Sequence, residues 1–108
     1  MERLEYIAEI AKPPTEQRPF TIDYTDKLPI GASVSSGTVA AYNHFTGALD
    51  NTVIGSTTGT KSGDTISATL RQGTAGQKYD IIFTTTLSDA SILVDYLLLS
   101  VQIPRAMR

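Results

Sequence analysis

Few side chains in this sequence could do covalent chemistry, and their spacing limits what that chemistry could be. There is one histidine, His44, and no cysteine. A thiolate nucleophile, a disulfide framework and a Cys-based zinc or iron–sulfur site are thereby excluded. A Ser-His-Asp triad would have to use His44, yet no G-x-S-x-G elbow supplies the serine. A lone His cannot build a His-rich metal site. Asp23, Asp26, Asp50 and Asp64 fall on separate segments, not at the short ordered spacing of a calcium loop. No G-x-x-x-x-G-K-[ST] loop is present to cradle a phosphate. The expectation is a non-enzymatic protein with no catalytic residues, metal or cofactor and no small-molecule substrate. His44, next to Phe45, reads as an exposed loop residue.

The balance of charge points the same way. The 108 residues carry a net charge of −2, which argues against a nucleic-acid binder, since that needs a basic face. No apolar run approaches the length that spans a bilayer, so no membrane partner is expected. The opening Met1-Glu2-Arg3-Leu4-Glu5 lacks the apolar core of a secretion signal, and the chain is expected to be made in a cytoplasm and kept there or released by another route. With 15 Thr and 9 Ser, hydroxyls take the place of much of the usual charge.

The elements that would carry these residues are strands. Between Ile30 and Ile103 there is no proline, and all eight glycines lie between Gly31 and Gly76. A Pro-free middle of Thr/Val/Ile segments punctuated by Gly is what central strands and their turns require. Strands are expected at Arg18–Thr25, Ala32–Tyr42, Asp50–Ser56, Thr65–Arg71, Lys78–Thr86 and Ser91–Gln102, with a bulge or turn at Ser35-Ser36-Gly37. Residues 2–11 fit helical spacing (Leu4, Ile7, Ala8, Ala11) and strand alternation (Leu4, Tyr6, Ala8, Ile10) alike; the extended reading is preferred, because Pro13-Pro14 follows. The fold class is all-β: an antiparallel, immunoglobulin-like sandwich of about seven strands, with a small barrel as the alternative. One domain spans residues 15–103. Residues 1–14 form an N-terminal arm or first edge strand, and 104–108 a short basic tail with Arg105 and Arg108.

Two features stand out within that plan. Gly73-Thr74-Ala75-Gly76-Gln77-Lys78-Tyr79 leads into the long alternating strand, and a Tyr in that position is similar to the tyrosine corner of immunoglobulin-like sandwiches. Tyr79, Ile81 and Phe83 are therefore expected to be structural, facing the core. The last strand is apolar on both faces: Leu93, Leu97, Leu99 and Val101 on one, Ile92, Val94, Tyr96 and Leu98 on the other. An antiparallel strand with one face in water should be polar there. Either the N-terminal segment covers the surplus face or another subunit does. The candidate interface residues are Leu4, Tyr6, Ile7 and Ile10 in the N-terminal segment and Tyr96 and Leu98 in the last strand. As an arm, residues 1–12 would be removable without unfolding the sandwich.

The order of these pieces resembles a family of small immunoglobulin-like virion proteins of tailed bacteriophages, the fiber–tail adaptors. The likeness runs from Lys12-Pro13-Pro14-Thr15-Glu16 through Phe20-Thr21-Ile22-Asp23-Tyr24, Leu28-Pro29-Ile30-Gly31 and Ile66–Leu70. It continues in Gly73-Thr74-Ala75-Gly76-Gln77-Lys78-Tyr79-Asp80-Ile81, its most specific part, then Thr84-Thr85-Thr86 and Leu97-Leu98-Leu99-Ser100-Val101. The apolar stretch 2–11 and the missing Trp in strand two depart from the family pattern. The resemblance implies a non-catalytic structural protein of the virion, assembled in the bacterial cytoplasm. It would sit at the tail, head–tail junction or capsid surface, with other virion proteins as partners and as a homo-oligomer within the particle. The alternative is an Ig-like domain that binds carbohydrate or a host surface, for which Tyr42 and Phe45 are the aromatics in reach.

Overall fold

The computed structural model describes residues 6–102. Seven strands follow one another: β1 (Tyr6–Lys12), β2 (Arg18–Asp23), β3 (Val34–Asn43), β4 (Thr60–Ser62), β5 (Thr65–Leu70), β6 (Lys78–Leu87) and β7 (Ile92–Val101). Two short 3-10 turns, Thr25–Lys27 and Asn51–Val53, are the only helical pieces among the described residues. The strands form two sheets, ordered β1-β7-β6-β3 and β2-β5-β4. The core lies between them, as in a β-sandwich.

Alternation decides which side chains enter that core. Tyr79, Ile81, Phe83 and Thr85 of β6 are fully buried, as are Leu97, Leu99 and Val101 of β7. Ile22, Ile66, Ala68 and Leu70 meet them from the smaller sheet. The Phe20 ring packs on Phe83 with centroids 5.8 Å apart. One polar chain crosses this interior: Thr85 Oγ1 donates to Tyr24 Oη at 2.9 Å, and Tyr24 donates to Asp95 at 3.0 Å. Burial pushes the Tyr24 phenol up to about 12.

Two details depart from the expected order. The segment Asp50–Ser56 is not a strand. Asp50 accepts the Thr52 N–H and Asn51 accepts the Ala41 N–H, so side chains take the bonds that a ladder would have used. The seventh strand is instead β4, which forms a tight hairpin with β5 through Gly63 at φ +58°. The second departure is that β1 pairs with β7 in parallel, whereas the other strand pairs are antiparallel. The two strands come from opposite ends of the chain, so no tight hairpin imposes an antiparallel direction. The irregularity in β3 falls at Ser35, between Val34 and Ser36. Gly37 follows it, where a Cβ would stand 3.0 Å from Ile66.

Residues 6–12 are thus a strand of the larger sheet. Ala8 and Ile10 pack on the core, and Lys12 is 1% exposed. Lys12 Nζ donates to the carbonyls of Gln72 at 2.6 Å and Pro13 at 3.1 Å. Burial lowers its pKa. Removing this segment would strip Leu97–Val101 of their backbone partner, so it is not expected to be dispensable for folding.

Candidate interaction surface

The outer face of the β1-β7-β6-β3 sheet carries Tyr6, Tyr96 and Leu98 of the residues singled out from the sequence, and it divides into two halves. At one end Tyr6 projects from the start of β1. Its hydroxyl donates to Asp80 Oδ1 at 2.7 Å, and Asp80 lies on β6, two strands away. To reach it the Tyr6 side chain crosses β7, where Leu98 sits in register with Asp80. Leu98 is only 8% exposed although it faces outward. His44 Nδ1 stands 3.0 Å from the same Asp80 oxygen and 3.3 Å from the Tyr6 hydroxyl. A carboxylate can only accept, so both neighbours donate to it. Burial, the bond to Asp80 and the charges of Asp80 and Glu9 together push the Tyr6 phenol up to about 12.

At the other end no described residue covers the same strand. Ile92 is 61% and Val94 49% exposed. Their register partners on β6 are Thr86 and Thr84, and Tyr96 lies opposite Ile82, both half-buried. Ile7, at the irregularity between Tyr6 and Ala8, is 40% exposed at the rim. A sheet face turned to water would ordinarily alternate to polar residues here.

The candidate interface residues therefore separate. Tyr6, Tyr96 and Leu98 meet on one face, with Leu98 covered, while Ile10 turns to the opposite face and packs on the core. Leu4 lies outside the described residues. Tyr79 is buried at the base of β6, and its hydroxyl accepts the Thr74 N–H at 3.0 Å. Ile81 and Phe83 are wholly inside. The turn before Tyr79 holds Gly73 at φ +96°, where a Cβ would come within 2.7 Å of Val101. Asp80 was not among the residues singled out. Its signal was a lone outward carboxylate in the best strand, but its partners are 36 and 74 residues away in sequence.

His44 lies exposed in a turn, as expected, and joins this network as well. Asn43 Oδ1 accepts the N–H groups of Phe45 and Thr46 and so stiffens the turn that carries it. The Phe45 ring stands edge-on to His44 at 5.5 Å. On the opposite side of the molecule a groove of about 330 Å³ runs over the smaller sheet, lined by Ser56, Thr58, Thr60, Ser67, Thr69 and Arg71 among others. No aromatic ring lines it, so it offers no platform on which a sugar could stack. No cluster of three or more metal-ligating side chains occurs among the described residues.

Residues 12–100 match the family model of the podophage GP4 fiber-tail adaptor protein gp77. The chain belongs to that family. Membership makes it a structural component of the phage tail, and so of the virion, that interacts with other virion proteins. A search of curated proteins finds no match. The matched span includes Tyr79, Asp80, Tyr96 and Leu98 and stops short of Tyr6 and Ile7. This adaptor thus carries its lid over Leu98 on residues outside the family's matched segment.

Proposed function

We propose that this chain is a non-enzymatic adaptor that docks onto another tail protein, the fiber side of the junction, through the Ile92 and Val94 half of the β1-β7-β6-β3 face. The observation that carries this reading is the exposure of Ile92 and Val94 on the same face of β7, in the stretch that no described residue of β1 flanks. Two large aliphatic residues on an open face gain free energy when a partner removes them from water. Tyr96 and Ile82 continue the stripe toward the covered half, and Ile7 borders it. The hydroxyls of Thr84 and Thr86 beside it supply hydrogen bonds without charge. The same distribution supports a role in assembly over catalysis, since the described titratable residues that meet (Tyr6 with Asp80 and His44, Tyr24 with Asp95, Arg18 with Glu16) are occupied by one another.

The experiment is particle incorporation. Ile92→Glu and Val94→Glu place charge on the stripe without touching the core. We expect both chains to melt like the parent yet to be absent from purified particles. Normal incorporation of both would overturn the reading. The carbohydrate- or host-binding alternative would rest on Phe45, 62% exposed on its stiffened turn. Tyr42 is half-buried, which leaves a single exposed ring there. Loss of glycan-array binding in Phe45→Ala would favour it over docking.

A further inference from the structure

The smaller sheet has a gap in it. β4 runs beside β5 at Thr60 and Ser67, and Ile54 bridges Leu70. Between these two points residues 55–59 leave β5 and cross towards β3. The Thr57 carbonyl accepts the Val39 N–H, and the Gly59 N–H donates to Gly37. Glycine permits that close crossing, since a Cβ at Gly59 would stand 2.6 Å from Ile66 and 3.3 Å from the Gly37 carbonyl oxygen. The opening left beside residues 67–69 is the groove of about 330 Å³.

The lining of the groove is rich in donors and holds one charge. Arg71 is half-buried there. Its Nε is shut off from water with no hydrogen-bond partner among the described residues, and no described carboxylate pairs with the guanidinium. The side chain is thus a partly desolvated cation that offers its two Nη groups. Ser56 Oγ accepts the Thr58 N–H at 3.1 Å and keeps its own proton to give. The Thr69 N–H leaves β5 on the same side as its carbonyl, which accepts from Gly55, and so points at the gap. No acidic side chain lines the groove.

We propose that this groove is an anion site, and that its occupant is the carboxylate of an Asp or Glu on a segment of another virion protein. The two oxygens of a carboxylate match the paired Nη groups of a guanidinium. One positive charge balances one carboxylate, whereas a phosphate dianion would keep an excess. No aromatic ring is present on which a sugar acid could stack. The volume is at the low end for a ligand site, which suits one acidic side chain with its flanking backbone. Membership of the adaptor family supplies protein partners. The groove lies on different residues from the docking stripe and does not depend on that reading. With both, one small chain could hold two partners on opposite faces.

The test follows the backbone amide signals of the full chain by NMR. The probe is the peptide Gly-Ser-Asp-Ser-Gly, blocked at both ends, with a twin that carries Asn for Asp. We expect the Asp peptide to move the signals of Gly55, Ser56 and Thr69 saturably, with a dissociation constant on the order of a millimolar. The Asn twin should bind at least about tenfold more weakly, and so should the Asp peptide to Arg71→Gln. Equal binding of the two peptides, parental binding by Arg71→Gln, or no saturable shift up to about 20 mM overturns the proposal. Should Arg71→Gln fail to fold, Arg71→Lys decides, because it keeps the charge and loses the fork: binding about threefold weaker supports the site, and parental binding counts against it. Inorganic phosphate or glucuronate binding more tightly than the Asp peptide overturns the occupant in favour of a free anion or an acidic sugar. None of these outcomes bears on Ile92 or Val94.

Discussion

The two halves of the outer face lie on the same strand, and they meet opposite fates. Around Leu98, β7 is roofed by the chain itself, because Tyr6 reaches across to Asp80 and His44. Around Val94 and Ile92 nothing described covers it. Both halves turn aliphatic side chains of β7 outward, Leu98 in one and Ile92 with Val94 in the other. Among the described residues β1 pairs with β7 only from Tyr96 to Val101, so no described strand flanks the half beyond Tyr96. Outward hydrophobicity can therefore serve self-packing in one place and partner binding a few residues away, and coverage tells them apart.

The comparison can be broken most severely by deleting residues 1–12. That removes the roof, the partner strand of Leu97–Val101 and buried Lys12, and we expect a loss of more than about 4 kcal/mol, read as failure to melt cooperatively. Next comes a contrast within β7. Leu98→Ala should cost about 2–3 kcal/mol by chemical denaturation, while Val94→Ala should stay within about 0.5 kcal/mol. Equal costs would erase the distinction between the halves. Tyr6→Phe keeps the ring over Leu98 and removes only its bond to Asp80, so about 1 kcal/mol is expected. The smallest effect is a pH dependence. The folded Tyr6 phenol is raised from 10.0 to about 12. Its contribution is complete below pH 10 and lost as the pH climbs towards 12, because the unfolded chain ionises first. The slope in that window should shrink in Tyr6→Phe, with Tyr24, raised to about 12 as well, supplying the remainder.

Much of the fold was legible in the residues. The alternation of Lys78–Thr86 and Thr65–Arg71 fixed which side chains turn inward, and burial follows it residue by residue. The apolar surplus on the last strand was visible too. The segment Asp50–Ser56 was misread because its Asp, Asn and Thr side chains bind backbone locally, a competition that hydrophobic pattern does not display. Of the surface, Tyr6 and Tyr96 could be nominated by type, but Asp80 and the part played by His44 could not. Their meeting depends on β1 returning beside β7, and no local signal encodes that pairing.

The sequence by itself determined the class of the fold: a Pro-free, Gly-punctuated middle of alternating segments leaves a β-sandwich, and with no thiol and one histidine it can hold no Cys-based or His-rich site. It also determined that β7 is too apolar for water on both faces. Only the tertiary structure decided which part of that surplus the described residues cover. That depends on contacts between strands some 90 residues apart, Tyr6 with Tyr96 and Lys12 with Val101, and such non-local pairing follows from how the whole core closes.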